Sequence, residues 1–429
     1  MKRNIGNLSI ILLVVLNVVV WLVFPPVNDG RENFIRQYAG EIIGSTNIIL
    51  MACSLFISTR PKWAEPFFGG LDKMYVTHRH TSTAAFLLIF VHILTVPISA
   101  HWVLGNYLAV IAATGIVSIA LISLAPRIPY LNRITGGTYE GWKNLKKYIG
   151  IFFIIAYIHA LTIGNPLHAF IAINWVQIFF IIGAVSYLYT ELFGRFFKKF
   201  IPYTVEEINH PNGSTTEVVL RAKKDPIKRQ RAGQFLFVRF PGDRTLNESH
   251  PFTISSAPHE DVLRLTVKAS GDFTRDLFAN LKPGMDAVVE GAHGMFDYTT
   301  GGVKQIWVAG GIGLTPFLSF LRDLDGGTSA PLNHDVDFYY TVRHKEEALF
   351  LDEIDAAAKK NLRLNTHIRF SATDGSLTIE DIVKNAGGNI SGHHVYMCGP
   401  FAMVQAFEKK LLALSVPAKN IHYEEFNFR

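Results

Sequence analysis

Histidines are the first residues here whose type and spacing could do chemistry. His78 and His92 lie 14 residues apart in residues 77–95, THRHTSTAAFLLIFVHILT, with His80 beside the first. On a helix that spacing is about 1400°, about 40° short of four turns, so both imidazoles fall near one face, ~21 Å apart along the axis. His92 sits deep in an apolar run, where ionisable groups are costly and functional by default. His159 ends another such run. Two imidazoles at one height on neighbouring helices can ligate a haem iron from both sides. The bland alternative for each is a polar group bonded to a backbone carbonyl across a helix contact.

Three further constellations lie in the second half. In GGIGLTP (310–316), Gly310, Gly311 and Gly313 precede Thr315 and Pro316; the turn follows an apolar strand and opens a helix. Backbone amides in such a turn can approach a pyrophosphate at the helix N-terminus. Cys398, Gly399 and Pro400 end a second strand and open the helix 401–414, and two such turns converge on the crevice where α/β sheets bind ligands. Thirdly, His250, Pro251, Phe252 and Thr253 close a strand segment, followed by Lys268 and by GDFT, which contains Gly271 and Thr274. Those types suit a flavin ring and its diphosphate, although each alone reads as an ordinary strand end.

The elements that must position these groups divide the chain. Residues 1–200 hold 16 Lys+Arg and 7 Asp+Glu, whereas 201–429 hold 25 and 28. The basic excess therefore sits in loops of the apolar half and gives no argument for nucleic acid. Apolar runs at about 8–24, 42–58, 83–100, 107–125, 149–164 and 171–190 each approach the length a bilayer core requires. With the N-terminus inside, the inner segments 1–3, 59–80, 126–147 and 195–199 carry 14 of the 16 Lys/Arg. That positive-inside pattern predicts a multi-pass protein of the plasma (inner) membrane, with the N-terminus and the second half in the cytoplasm. The first run is read as a retained span, because it is long for a signal sequence and no small-residue cleavage site follows. His92 and His159 then share a depth toward the outer leaflet. The position that would pair with His78 is Lys146, so an inner site is left open.

Composition changes after residue 200, with Pro202 marking a junction. Alternating segments 216–221, 234–240, 262–268 and 286–290 predict a small antiparallel barrel. From 303, strands at 305–309, 335–342, 367–371 and 394–398 alternate with helical stretches, the rhythm of a parallel α/β sheet. Cys53 and Cys398, the only cysteines, cannot build a disulfide framework. The predicted organisation is multidomain: a six-helix transmembrane bundle over 1–200, a β-barrel over 201–300 and an α/β domain over 301–429.

HPFTISSAP (250–258), GGIGLTP (310–316) and YMCGP (396–400) resemble the flavin- and nicotinamide-binding motifs of ferredoxin–NADP reductase-type domains. Behind six helices with paired histidines, the whole chain resembles the ferric reductase and NADPH oxidase family. The resemblance implies FAD over the barrel, NAD(P)H in the α/β domain and haem b between the third and fifth helices. It implies that His250, Pro251, Phe252 and Thr253 cradle the flavin, and that Gly271 and Thr274 hold its pyrophosphate. Gly310, Gly311, Gly313, Thr315, Cys398 and Gly399 would line the nicotinamide site. Phe426, in the ending YEEFNFR, would cover the flavin. The departure is Lys146, where two-haem members have histidine; one outer haem is the expectation.

Arg343, at the end of the strand 335–342, offers a guanidinium fork to a 2′-phosphate, which favours NADPH, while Glu346 and Glu347 admit NADH. The expected reaction is hydride transfer from NADPH to FAD, then single-electron transfer through haem to an external acceptor. Short outer loops lean the acceptor toward a ferric or other metal chelate. Dioxygen reduction to superoxide, a haem-bearing subunit feeding a partner oxidoreductase, and a haem-free membrane anchor for a flavin reductase are the rival readings.

Overall fold

The computed structural model describes residues 5–97, 101–124, 145–163, 167, 169–194, 199–228, 230–326 and 333–424. Two compact units emerge: one formed by 2–69 and 73–197, the other by 70–72 and 198–429.

The first unit contains six long helices: α1 (Ile5–Val23), α2 (Phe34–Ser58), α3 (Leu71–Thr95), α4 (Leu104–Leu124), α5 (Ile149–Thr162) and α6 (Phe170–Leu188). Among the described residues, four stretches are long and apolar enough to cross a membrane: Ile5–Val23, Phe34–Ser58, Leu104–Ser123 and Phe170–Phe193. The two helices expected to carry the histidine pair fall outside that set, for different reasons. α3 ends at Thr95, before the expected end of its apolar run at 100, so every stretch of it long enough to span takes in His78, Arg79 and His80. α5 has 14 residues, about 21 Å of helix, against a hydrocarbon core of about 30 Å.

α2 is the central helix. In its most apolar window 67% of residues are buried, against 17–28% for the other three stretches. Ile49, Ala52 and Leu55 of α2 pack with Ala85 and Ile89 of α3, Ile116 of α4, Phe153 of α5 and Phe179 of α6. Asn17 of α1 donates to the Ser45 and Thr46 hydroxyls of α2 at 2.9 and 3.0 Å, a polar contact between apolar helices.

The second unit carries two sheets. The antiparallel sheet uses β1 (Ile201–Asn212), β2 (Thr215–Ala222), β3 (Phe235–Arg239), β4 (His250–Thr253), β5 (Val262–Lys268) and β6 (Asp286–His293), ordered β4-β3-β6-β1-β2-β5. An Ile254–Leu265 bridge joins the two ends of that order, so the sheet closes into a barrel. Leu220, Leu236, Val238, Leu265 and Val289 fill it. Pro202, expected to mark a junction, lies near the start of β1, where Tyr203 pairs with Ala222 on one side and Ala287 on the other. A proline near the start of a strand is tolerated because few ladder bonds are lost there.

The parallel sheet comprises β7 (Lys304–Gly310), β8 (Asp335–Val342), β9 (Leu364–Phe370), β10 (His394–Cys398) and β11 (Ile421–Glu424), ordered β11-β10-β7-β8-β9. Helix α7 (Asp272–Asn280) precedes β6. Helices α8 (Thr315–Gly326), α9 (Leu351–Lys360), α10 (Ile379–Asn385) and α11 (Phe401–Ala413) connect the parallel strands. The chain runs from β7 outward to β9, then returns to place β10 on β7's other side. That reversal creates a topological switch point between β7 and β10, where open α/β sheets bind ligands.

Candidate functional site

A cleft of about 740 Å³ opens at the switch point. Gly310, Gly311, Ile312 and Gly313 line it from the end of β7, and Gly399 and Pro400 from the end of β10. The two turns interlock: a Cβ on Gly313 would sit on the Cys398 carbonyl, and one on Gly399 would lie 3.0 Å from Gly310 Cα. Only glycine permits this approach, which exposes backbone to the cleft beside the start of α8. Thr315 and Pro316 form the buried first residues of α8, behind the lining. Arg343 lines the cleft beyond β8; there Lys268 from β5 meets Glu347 at 3.7 Å. A dinucleotide fits such a lining: glycine amides for the diphosphate, with Arg343 or Lys268 for a further phosphate.

The barrel's contribution stands beside this cleft. In β4, His250 stacks on Phe273 with ring centres 3.8 Å apart, and its Nε2 lies 3.4 Å from Glu248. Phe252 lies 6.2 Å from the same ring. Thr253 is buried, and its hydroxyl makes no hydrogen bond of ordinary geometry. Gly271 caps α7. Thr274 Oγ1 accepts from the Ser270 and Gly271 amides at 2.9 Å each, and donates to the Gly271 carbonyl at 3.0 Å. The Thr274 hydroxyl thus shapes the helix start that would face a diphosphate.

Glu424 escaped sequence reasoning. Cys398 of β10 pairs in register with Glu424 of β11, and the Glu424 side chain is buried at the cleft, with both carboxylate oxygens lacking a hydrogen-bond partner of ordinary geometry. Burial pushes its carboxyl well above the usual range, offset only in part by the neighbouring Thr253 hydroxyl. Burial also raises the Cys398 thiol well above its usual value. That thiol packs in the core under the turn, and Gly399 and Pro400 form the cleft wall in its place. The tertiary structure thus gathers Thr253 and Cys398 around Glu424. An acidic pair at 424–425, beside Phe426, was the available signal. Phe426 itself lies outside the described residues.

In the helical unit, His92 of α3 and His159 of α5 stand with ring centres 6.5 Å apart and planes inclined by 76°. His92 Nδ1 donates to the Gly40 carbonyl of α2 at 2.9 Å, and His159 Nδ1 to the Gly105 carbonyl of α4 at 2.8 Å. These bonds put the proton on Nδ1 and leave the Nε2 lone pair available to a metal, as a carbonyl behind a ligating histidine does. Two metal–nitrogen bonds of about 2.0 Å plus the two ring radii match the observed separation. The residues fit a bis-histidine haem. The carbonyl contacts of the bland reading are present too, one per ring.

Sequence reasoning missed what brings the anchors close. Gly40 and Gly44 form a GxxxG spacing on α2, a close-packing signal. A Cβ on Gly44 would lie 3.0 Å from the His92 ring, and one on Gly40 would meet Val96. His78 is not joined to the pair: its Nδ1 lies 3.0 Å from both the hydroxyl and the carbonyl of Ser54. His80 and His101 are exposed. His168 and the Lys146 side chain lie outside the described residues, so the inner position has no described partner.

Comparisons with known proteins bear on the second unit. A family profile described as an FAD-binding domain matches residues 204–295, and one described as an oxidoreductase NAD-binding domain matches 307–409. The carnitine monooxygenase reductase subunit of Escherichia coli (strain K12) is 28% identical over 185 residues, covering 42% of this chain and 53% of that protein. Dual oxidase 2 of Sus scrofa is 32% identical over 184 residues, covering 40% of this chain and 11% of that protein. The match thus spans about half of the first relative and a small part of the second. Among solved structures, a flavohemoglobin from Malassezia yamatoensis with bound FAD and heme aligns with a TM-score of 0.52 at 16% identity, covering 90% of this chain and 95% of that one, a likeness of fold alone. The chain is an oxidoreductase that joins apolar helices to FAD- and NAD-binding domains of the ferredoxin-reductase type, and as such it resembles the ferric reductase and NADPH oxidase family.

Proposed function

We propose that this chain carries electrons across a membrane, from NADPH on the cytoplasmic side to a small-molecule acceptor beyond it, acting as a ferric or other metal-chelate reductase. Residues 1–200 would form the haem domain, 201–300 the FAD domain and 301–429 the NAD(P)H domain. The observation that carries the reading is the His92–His159 pair, with each Nδ1 tied to a glycine carbonyl, in the same chain as a flavin–nicotinamide module. The positive-inside distribution of Lys and Arg supports the orientation, in the plasma (inner) membrane.

Bound nicotinamide, flavin and haem would supply the redox chemistry, a flavin being able to exchange electrons in pairs or singly. The residues have separate tasks. Backbone amides of 310–313 and 399 receive the nucleotide diphosphate, and Arg343 selects the 2′-phosphate. Thr253 and Glu424 would face the flavin edge; burial disfavours the Glu424 anion and raises its carboxyl well above the usual range. Phe426 is assigned the aromatic that covers the flavin until nicotinamide arrives. His92 and His159 would hold the haem iron, and the Gly40 and Gly105 carbonyls would keep the rings from turning.

The test is spectroscopic. Full-length protein purified in detergent and reduced anaerobically with NADPH should show a Soret band and a sharp α-band beside flavin bleaching. Protein that is yellow with flavin yet colourless in the Soret region would leave only a membrane-anchored flavin reductase. Similarity to dual oxidase favours one second reading, in which dioxygen is the acceptor and superoxide the product. Superoxide dismutase distinguishes the two: complete inhibition of NADPH-driven cytochrome c reduction supports dioxygen, and undiminished ferric-chelate reduction supports iron.

A further inference from the structure

Helix α8 does two things at once. Its start is the glycine turn that lines the nucleotide cleft. One and two turns further on, the same helix grips the barrel through Ser319 and Arg322, neighbours on one face by their spacing of three. Ser319 Oγ donates to the Ser256 carbonyl at 2.7 Å. Arg322 Nη1 donates to the Ser255 carbonyl at 2.9 Å, and Nη2 donates to Glu217 of β2 at 2.9 Å. Nε and Nη2 hold Glu353 of α9 at 2.9 and 3.0 Å. The Arg322 and Glu217 side chains are only 13% and 6% exposed. Arg264 also approaches Glu217, at 3.6 Å. Ser255 and Ser256 follow the stretch His250–Thr253 after Ile254, and the Ser255 hydroxyl is itself held by Thr266 of β5 at 3.0 Å. A single rigid helix therefore connects the nucleotide turn to the flavin-side strand.

We infer that Arg322, assisted by Ser319, is a positioning residue for hydride transfer between nicotinamide and flavin. The inference rests on the FAD- and NAD-binding module and does not require a haem. The hydride carries one hydrogen and two electrons from the nicotinamide carbon to the flavin nitrogen, and Arg322 touches neither ring. Its leverage is distance. Reacting atoms must meet within about 3–3.5 Å, and a displacement of about 1 Å can slow such a step about 10²-fold. A planar fork satisfies three acceptors at once; a lysine, as a point charge on a flexible stem, cannot. The clamp lies outside the cleft, so its loss should alter approach while leaving each ligand's own contacts in place.

Three variants of the full-length chain test this: Arg322→Lys, Ser319→Ala, and the double variant Glu217→Gln/Arg322→Met, which removes both buried charges together and so strands neither. Each would be measured for FAD content, NADP⁺ affinity by titration, melting temperature, the rate of flavin reduction by NADPH in stopped flow, and the isotope effect with 4-deuterated NADPH. The expected result is unchanged FAD content, NADP⁺ affinity within about twofold, and flavin reduction slowed about 10- to 100-fold in Arg322→Lys and in the double variant, with a smaller loss in Ser319→Ala. The isotope effect should rise as hydride transfer becomes limiting. Wild-type reduction rates in Ser319→Ala and the double variant, whatever their melting temperatures, would overturn the inference, as would a loss of rate that tracks a loss of FAD.

Discussion

His92 and His159 stand 6.5 Å apart, ring centre to ring centre, and each is held from behind by the carbonyl of a glycine on another helix. Four helices thus contribute to one pair of imidazoles: α3 and α5 carry the rings, while α2 and α4 aim them. If the pair binds haem, His92→Ala and His159→Ala should each remove the Soret absorbance. NADPH–ferricyanide diaphorase activity should remain, because the nicotinamide and flavin residues belong to the other unit. Full haem content in both variants would refute the ligand assignment.

Gly44 tests the aiming of His92. A methyl group there would lie 3.0 Å from the ring and drive it off the Gly40 carbonyl. Disturbing an outer-shell partner typically weakens metal binding about 10- to 100-fold. Gly44→Ala should therefore retain haem about tenfold less well in a competition with apomyoglobin, while FAD content stays constant.

Gly313 makes the corresponding close approach in the nucleotide cleft. Its Cβ would collide with the backbone carbonyl of Cys398, which cannot swing aside as a side chain could. Gly313→Ala should raise the KM for NADPH by about tenfold or more, with the two turns pushed apart, and leave bound FAD in place. A KM within about twofold of wild type would show that the turns have slack.

Arg343 lines the cleft, and its role in choosing the nucleotide can be read by charge reversal. Hydrogen bonds to charged groups contribute about 1.5–3 kcal/mol, or roughly 10- to 100-fold in binding. Arg343→Glu should lower kcat/KM for NADPH by about that factor and leave NADH within about twofold. Equal losses for both nucleotides would assign Arg343 to the shared part of the dinucleotide.

Glu424 gives a pH signature. Its folded-state carboxyl titrates well above the ordinary value of 4.5. The neutral form favours the fold fully below that ordinary value, and the advantage is lost as pH rises through the raised folded value, because the unfolded chain gains by ionising. Glu424→Gln has no proton to lose. Its melting temperature should exceed that of the wild type by a margin that widens as pH rises from the ordinary value of 4.5 towards the raised folded value. A margin that is constant with pH would mean the carboxyl is already ionised in the folded protein.

Local pattern accounts for much of what was legible. β5 and β8 run from 262 to 268 and from 335 to 342, as their alternation and apolar content predict, because a strand's periodicity is written in consecutive residues. β1 was not legible: residues 201–212 contain two prolines and two adjacent glutamates, and only Tyr203 and Val205 face inward. Its strand character comes from the partners on both sides, β2 and β6. α3 likewise starts earlier than its apolar run, since helix hydrogen bonding continues through polar residues that hydropathy alone would exclude.

The amino-acid sequence by itself determined the division into apolar and polar halves, the glycine turns at the ends of β7 and β10, and the two histidines on separate apolar helices. All of these depend on neighbours within a few turns of chain. Tertiary structure alone decided that Glu424 lies buried beside Cys398 and Thr253, that Gly40 and Gly105 hold the imidazoles, and that Arg322 ties the nucleotide helix to the flavin strand. Those relationships join residues far apart in the chain. They depend on which surfaces pack and which buried charges find partners, and no local periodicity records that.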